Sequence, residues 1–267
     1  MAKRVLFIGA GNMGFAILRS FIDSGNESFD ISIIDPNLSK EKKIQLPGCS
    51  FYEDFTELVD TVQFDVIVIA IKPQIFNDIS SEIGACIDDS GLIVSIMAGV
   101  ETNRINSGLG KDIKIIRCMP NLAALVNYSV NVAYIAGTVD SSQKLTFEEL
   151  FNGSGPIKWI DNEDLMHKTT ALSGSGPAYY FAFTEALIKA GESMGLSSKQ
   201  ASDLAIDTFL GTAALIKENR SPEVLRERVT SKGGTTAAAL SILMKNNCLD
   251  NLVKDALVAA EKRSKEL

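Results

Sequence analysis

The residue types that could do chemistry concentrate in two glycine-containing segments. The later one reads Val229-Thr230-Ser231-Lys232-Gly233-Gly234-Thr235-Thr236-Ala237-Ala238-Ala239-Leu240. Hydroxyls at Thr230, Ser231, Thr235 and Thr236 flank one lysine and the glycine pair, and a strong helix former follows at once. Glycine lets backbone N–H groups turn toward a ligand with no side chain in the way. A helix starting at Thr235 or Thr236 aims its unpaired N–H groups and the positive end of its dipole at the same spot. Such a place holds a small carboxylate or phosphate. An ordinary N-cap after a glycine turn uses the same residues, since Ser and Thr are preferred caps. The local pattern leaves both readings open.

The earlier segment is Gly9-Ala10-Gly11-Asn12-Met13-Gly14, placed between the apolar run Val5-Leu6-Phe7-Ile8 and a helical pattern from Asn12 to Asp23. A GxGxxG motif in that context is a dinucleotide fingerprint. Gly9 permits the tight turn, Gly11 lets a pyrophosphate approach, and Gly14 lets helix and strand pack closely. Asp35 ends the second strand, 24 residues after Gly11. An acid there accepts hydrogen bonds from a ribose 2′-hydroxyl, which leans toward NADH over NADPH. Three further strands end in Ala70-Ile71-Lys72-Pro73, in Ser95-Ile96-Met97-Ala98-Gly99 and in Arg117-Cys118-Met119-Pro120-Asn121. Ligands of open α/β sheets bind at that carboxyl edge. Ala70, Lys72, Pro73 and Ala98 are therefore cofactor candidates, and Met119, Pro120 and Asn121 substrate candidates.

The elements that must position these residues alternate. Strand-like runs at 5–8, 31–34, 66–70, 92–96 and 113–117 are nearly continuous in Val and Ile and are separated by helical patterns. That texture means a parallel sheet covered on both faces. Val130 to Ala136 alternates less cleanly and is expected as an added edge strand, and Ile157 to Ile160 as the last strand. Beyond Asp164 only helical stretches remain, over about 164–194, 198–218, 222–229, 236–246 and 250–264. The expected fold is α/β: an N-terminal Rossmann-like parallel-sheet domain, residues 1–162, followed by an all-α dimerisation domain, residues 163–267. Pro177-Ala178-Tyr179-Tyr180-Phe181-Ala182-Phe183-Thr184-Glu185-Ala186-Leu187-Ile188 carries one charge. A helix apolar nearly all round needs covering on all sides, which a helical domain of about 100 residues can hardly supply alone. An obligate homodimer follows, with a central bundle helix as the alternative.

The totals narrow the classes. The chain has 267 residues, 46% hydrophobic and 22% charged, and a net charge of −7 with no basic run. Disorder and nucleic-acid binding are disfavoured. Cys49, Cys86, Cys118 and Cys248 form no CxxC pair, and only His167 could join them. No metal site is expected, and the thiols read as free and mostly buried. Met1-Ala2-Lys3-Arg4 runs straight into a strand without a leader pattern, and no apolar run approaches about 18 residues. A cytoplasmic protein without membrane contact is expected.

With these residues in view, the chain resembles pyrroline-5-carboxylate reductases over essentially its whole length. The resemblance rests on Phe-Ile-Gly-x-Gly-Asn-Met-Gly at 7–14, Lys72-Pro73 and Met119-Pro120-Asn121. Ser-Gly-Ser-Gly-Pro-Ala-Tyr at 173–179 and Ser-x-Gly-Gly-Thr-Thr at 231–236 complete it. It implies reduction of L-1-pyrroline-5-carboxylate to L-proline with NADPH or NADH, and an obligate dimer through the helical domain, assembled in some members into larger rings. The substrate carboxylate is then expected on Ser231, Gly233, Gly234 and Thr235. Thr236 is the catalytic candidate, bonding the imine nitrogen and positioning its proton. His167 reads as structural. The sheet edge and the 231–236 loop fall in different domains, so the active site is expected between them, with the loop coming from either subunit. Two departures stand out: Lys232 where the family commonly has proline, and Leu122-Ala123 where it commonly has Thr-Pro. The cofactor loop Asp35-Pro36-Asn37 also differs from the family's common Asn-Arg-Ser. Competing readings are a β-hydroxyacid dehydrogenase or imine reductase-like enzyme, and an NAD(P)-binding regulator. The first is expected to carry a lysine on the interdomain helix, which Pro177–Glu185 lacks. The regulator needs no Gly-Gly-Thr-Thr anion site.

Overall fold

The computed structural model describes residues 2–25, 28–58 and 62–267. The chain divides into two compact units, Met1–Ser175 with Ala260–Leu267, and Gly176–Ala259.

The first unit is built on β1 (Lys3–Ile8), β2 (Phe29–Ile34), β3 (Ser50–Tyr52), β4 (Phe64–Ile69), β5 (Ile87–Ser95), β6 (Lys114–Met119), β7 (Asn131–Ala136) and β8 (Ile157–Ile160). The sheet order is β3-β2-β1-β4-β5-β6-β7-β8. Every pair is parallel except β6 with β7. The order reverses between β1 and β4, where Val5–Ile8 run beside Val66–Ile69. That reversal is the switch point at which such sheets open a ligand crevice.

Successive strand residues point to opposite faces, and both faces are buried. On one side Val5, Phe7, Ile33, Val68, Val94 and Ile116 pack with α1 (Asn12–Asp23) through Ile17, Leu18 and Phe21. On the other, Leu6, Ile8, Ile67, Ile69, Ile93 and Ile115 pack with α3 (Phe76–Cys86) and α4 (Thr102–Leu109). α2 (Lys40–Ile44) follows β2, and α5 (Ser141–Phe151) adds Phe147, Leu150 and Phe151 to the first face. Two covered faces are the reason these strands read as unbroken apolar runs rather than as alternation.

Two details of the sheet differ from the sequence reading. Residues 131–136 do not form the edge, because β8 pairs in parallel outside β7 and takes that place. The connection from β6 is a short 3-10 turn, Leu122–Val126, closed by Asn127 at φ 62. A connection that short joins antiparallel strands, whereas a parallel neighbour needs a long crossover. β3 has only three residues, too few for any period to show.

The unit also takes α6 (Leu165–Thr169) and a π-helical turn, Thr170–Gly174. Sequence texture changes near residue 162, whereas the compact units part at 175/176, with residues 260–267 counted with the sheet.

The second unit holds α7 (Gly176–Ser193), α8 (Ser198–Glu218), α9 (Pro222–Arg228), α10 (Thr235–Leu243) and most of α11 (Cys248–Lys265). Ser197 and Gln200 form a capping box that starts α8. α7 meets α8 where Tyr180 and Phe209 rings lie 5.8 Å apart and a Cβ at Gly191 would stand 3.2 Å from Ala201. In the single subunit only Gly176 of α7 is buried. Tyr180, Phe181, Phe183 and Leu187 are roughly half exposed, as are Leu204, Leu210 and Leu215 of α8. No helix is long and apolar enough to cross a membrane among the described residues.

Candidate active site

The glycine loop after β1 is shaped by close approach. Gly9 takes φ +90, and a Cβ there would stand 2.7 Å from the Ala70 carbonyl oxygen. A Cβ on Gly14 would stand 2.5 Å from the Gly9 oxygen and 3.0 Å from Ala70 Cβ. These contacts also account for a small residue at 70. Gly11 is different, because nothing lies within 4 Å of the Cβ it lacks. It is the N-cap of α1 with no side-chain bond to the helix end. The N–H groups of the first turn are therefore open to an anion, and the space beside Gly11 is unfilled by the protein. Asn12 is exposed and Met13 half-buried at this end.

Asp35 is drawn into the same loop. Its Oδ2 accepts from Ala10 N–H at 2.7 Å and its Oδ1 from Asn37 N–H at 2.8 Å. The carboxylate thus braces the glycine loop, while each oxygen keeps a further acceptor site for a ribose hydroxyl. Lys42, which the sequence reading passed over, donates to the Ala10 oxygen at 3.3 Å and lies 4.9 Å from the Phe15 ring centre. Nothing in its spacing from Gly9 announces this, because α2 must fold back first.

At the carboxyl edge Ala70 and Ala98 are half-buried, Lys72 is exposed, and Pro73 opens a 3-10 turn, Pro73–Ile75. Met119 ends β6, and Pro120 behind it is buried. The Asn121 side chain is committed internally: Oδ1 accepts from Ala123 N–H at 3.1 Å and Nδ2 donates to the Ser173 carbonyl at 3.0 Å. Its backbone N–H donates to Ser129 Oγ at 3.0 Å. Asn121 therefore ties the end of β6 to the π-helical turn. Met119 Cε lies 3.2 Å from where a Cβ on Gly174 would be. Ser173 Oγ donates to the Thr169 carbonyl and Ser175 N–H to the Thr170 carbonyl, giving the wide turn its form. Such π turns recur at functional sites.

In the helical unit, Gly234 N–H donates to the Ser231 carbonyl at 3.0 Å, and Gly233 takes φ +74. This is a tight turn with Lys232 second and Gly233 third, the pattern of a type II turn. Gly234 caps α10, which begins at Thr235, and no side chain caps the helix. The first-turn N–H groups of α10 are not consumed by the neighbouring hydroxyls, an arrangement that suits an anion better than a plain cap. Thr236 is half-buried; Ser231, Lys232 and Gly233 are exposed. A Cβ on Gly234 would meet Ser231 Oγ at 2.5 Å. A proline at the position of Lys232 would suit this turn, since a type II turn favours proline second. Lys232→Pro is expected to stabilise the chain by about 0.4–1 kcal/mol, by restricting the unfolded chain. A raised midpoint in thermal unfolding with unchanged turnover is the expected result.

Buried polar groups outside the motifs surround the sheet edge. Arg117, 2% exposed, pairs with Glu163 Oε1 at 2.8 Å. The same carboxylate accepts from Thr102 N–H at 2.9 Å and Thr102 Oγ1 at 2.7 Å. His167 is buried, with Nδ1 3.0 Å from Ser264 Oγ. A charge at the end of an apolar strand was the one visible hint of the Arg117 network. Its partner, 46 residues on, was not readable. The thiols are less buried than expected: Cys118 is enclosed, Cys49 and Cys86 are half-buried, and Cys248 is exposed. Burial pushes the Cys49 thiol up to about 11 and raises those of Cys86 and Cys118. These three are poor nucleophiles at neutral pH. No group of three or more His, Cys, Asp or Glu side chains is placed to hold a metal ion among the described residues.

Comparison with known proteins covers both units. The family described as pyrroline-5-carboxylate reductase dimerisation matches residues 163–267, and the one described as NADP oxidoreductase, coenzyme F420-dependent, matches residues 4–99. The chain is similar to a pyrroline-5-carboxylate reductase of Pseudomonas aeruginosa, 35% identical over 266 residues, which are 99% of this chain and 96% of that protein. Among solved structures it is similar to a pyrroline-5-carboxylate reductase of Coxiella burnetii, with TM-score 0.88, 34% identity, and coverage of 100% and 98% of the two chains. A Plasmodium falciparum pyrroline carboxylate reductase with NADP bound gives TM-score 0.83 and 29% identity, with coverage of 99% and 97%.

Proposed function

The chain belongs to the pyrroline-5-carboxylate reductase family, and from that membership we propose how its own residues carry the family's reaction. It is an NAD(P)H-dependent oxidoreductase that reduces the C=N bond of L-1-pyrroline-5-carboxylate to give L-proline. The observation that carries the site assignment is the uncapped start of α10 behind the Ser231–Gly234 turn.

A reduced nicotinamide, NADPH or NADH, supplies the hydride. For that group Gly9, Gly11 and Gly14 would shape the cradle, and the N–H groups of Asn12 and Met13 with the α1 dipole would hold the pyrophosphate. Asp35 braces Ala10 and keeps acceptor sites for a ribose. Ala70, Lys72, Pro73 and Ala98 line the edge beyond it.

The substrate is a small anion. Its carboxylate is held by the N–H groups of Gly233 and Thr235 and the hydroxyls of Ser231 and Thr235; Gly234, expected from the sequence to donate as well, spends its N–H on the Ser231 carbonyl and shapes the turn instead. Thr236 bonds the imine nitrogen and positions the proton that this nitrogen keeps once the adjacent carbon has received the hydride. A hydroxyl is too weak an acid to generate that proton at pH 7, so Thr236 orients and relays. Met119 and Pro120 contribute shape at the β6 end, with Asn121 holding them to the π turn.

The exposed apolar faces of α7 and α8 support an obligate homodimer, since patches of this extent do not stay wet on a stable monomer. A larger ring of such dimers needs contacts outside α7 and α8; the dimer is what these faces call for. Free cysteines support a cytoplasmic setting.

The test is loss of reduced-nicotinamide absorbance on adding pyrroline-5-carboxylate. Wild type is expected to turn over, Thr236→Ala to lower kcat by about 10²-fold, the lower end of the range for a positioned proton donor, and Thr236→Ser to retain most activity. Wild-type kinetics in Thr236→Ala would remove Thr236 from the mechanism. No turnover with either cofactor would remove the reading.

A further inference from the structure

The turn after β5, Ile96–Glu101, is held more firmly than a surface loop needs. At its start Ile96 N–H donates to the Ile69 carbonyl at 3.0 Å and Met97 N–H to Ser95 Oγ at 3.3 Å. Past its end, Thr102 is gripped by Glu163. Its middle is met by the last turn of α11 and the residues just after it. Gly99 takes φ +76, and a Cβ there would stand 2.5 Å from Leu267 Cβ and 3.2 Å from the Ser264 carbonyl oxygen. Only glycine allows that approach.

Ser264 is 5% exposed, although Lys262, Arg263, Lys265 and Glu266 around it are all exposed. Its hydroxyl lies 3.0 Å from Nδ1 of His167, itself 5% exposed, and His167 Nε2 is 3.7 Å from Glu101 Oε1. Ser264 and Leu267 thus touch the turn at Gly99, and His167 links Ser264 to its last residue. The reaction itself uses none of these groups.

Their position gives them a role. In a doubly wound sheet the β1–β2 half takes one mononucleotide and the half beginning at β4 takes the other. The glycine loop and Asp35 belong to the first half, so the turn after β5 borders the nicotinamide half. We propose that Ser264, Leu267 and His167 are positioning residues that clip the Ile96–Glu101 turn against the cofactor's nicotinamide half, and so set cofactor affinity without touching the cofactor. The proposal rests on the reductase reading above.

The test uses the full chain, with the dissociation constant for NADPH read from cofactor fluorescence and KM measured for NADPH and for the imine. Ser264→Ala combined with Leu267→Gly is expected to raise the NADPH dissociation constant and KM about three- to tenfold, because small displacements of positioning groups are felt at the reacting centre. KM for the imine and the elution volume should stay as in wild type. His167→Ala should weaken NADPH in the same way, and His167→Asn, which keeps a polar atom where Nδ1 was, should recover most of the loss. Unchanged NADPH affinity in an active double variant would overturn the proposal alone. So would equal losses for cofactor and imine, which mark a general structural role. If the double variant fails to fold, the His167→Ala and His167→Asn pair decides, and equal affinities in that pair overturn it. Wild type that neither binds nor oxidises NADPH or NADH would sink the reductase reading instead.

Discussion

Glu163→Ala is expected to cost about 3–5 kcal/mol, the price of leaving a buried charge without its partner. Arg117 is 2% exposed and its guanidinium pairs with Glu163 at 2.8 Å. The same substitution strips the acceptor from Thr102 N–H and Oγ1. For a chain of this size each kcal/mol moves the melting midpoint by roughly 2–4 °C, so the variant should melt on the order of 10 °C lower. The matching double substitution, Arg117→Met with Glu163→Leu, removes both charges and should recover most of that loss, because a well-packed apolar pair replaces a buried ion pair at little cost. Denaturant unfolding of both variants checks this. A double variant as unstable as Glu163→Ala would show that the network matters through its bonds to Thr102 rather than through charge.

The second large effect separates glycines that look alike in the motif. Gly9→Ala and Gly14→Ala place a Cβ 2.7 Å and 2.5 Å from backbone oxygens that cannot move aside, and Gly9 adds φ +90. Overpacking of this kind costs about 1–3 kcal/mol, and the backbone conformation adds to it at Gly9. Both variants should be less stable and also poor cofactor binders. Gly11→Ala meets nothing within 4 Å and has φ −58, so its stability should lie within about 0.5 kcal/mol of wild type. Its added methyl enters the pyrophosphate cradle, so cofactor should bind about tenfold more weakly or worse, a loss of about 1.4 kcal/mol. Thermal unfolding beside cofactor titration reads both quantities. A Gly11→Ala variant that binds like wild type would place the pyrophosphate elsewhere.

The contrast among Gly9, Gly11 and Gly14 shows how far a motif can be read. Their order after Val5–Ile8 and before an apolar helical pattern pointed to a dinucleotide loop without coordinates. The spacing could not show that Asp35 spends bonds on Ala10 and Asn37, or that Lys42 reaches the same loop. Asn121 makes the same point. Met-Pro-Asn at a strand end pointed to a ligand edge, yet its side chain holds Ser173, 52 residues away. In the later loop, no side chain caps α10, which supports the proposed anion cradle over a plain helix cap.

What the sequence determined by itself is what local interactions control. Helices follow from apolar period and buried strands from unbroken apolar runs, so α1, β8 and α8 were legible nearly to the residue, whereas α10 stops at Leu243, three residues short of the expected end. The turn at 231–234 and the glycine loop follow from the backbone freedom of glycine. The family follows from short motifs kept in order. Tertiary structure alone decided which strand became the edge, which buried charges pair, and which segment covers Gly99. Those outcomes depend on contacts between residues far apart in the chain, and no period or spacing records them. The loop at 231–236 belongs to both lists: its turn is written in Ser-Lys-Gly-Gly, and its free N–H groups are a property of the folded helix end.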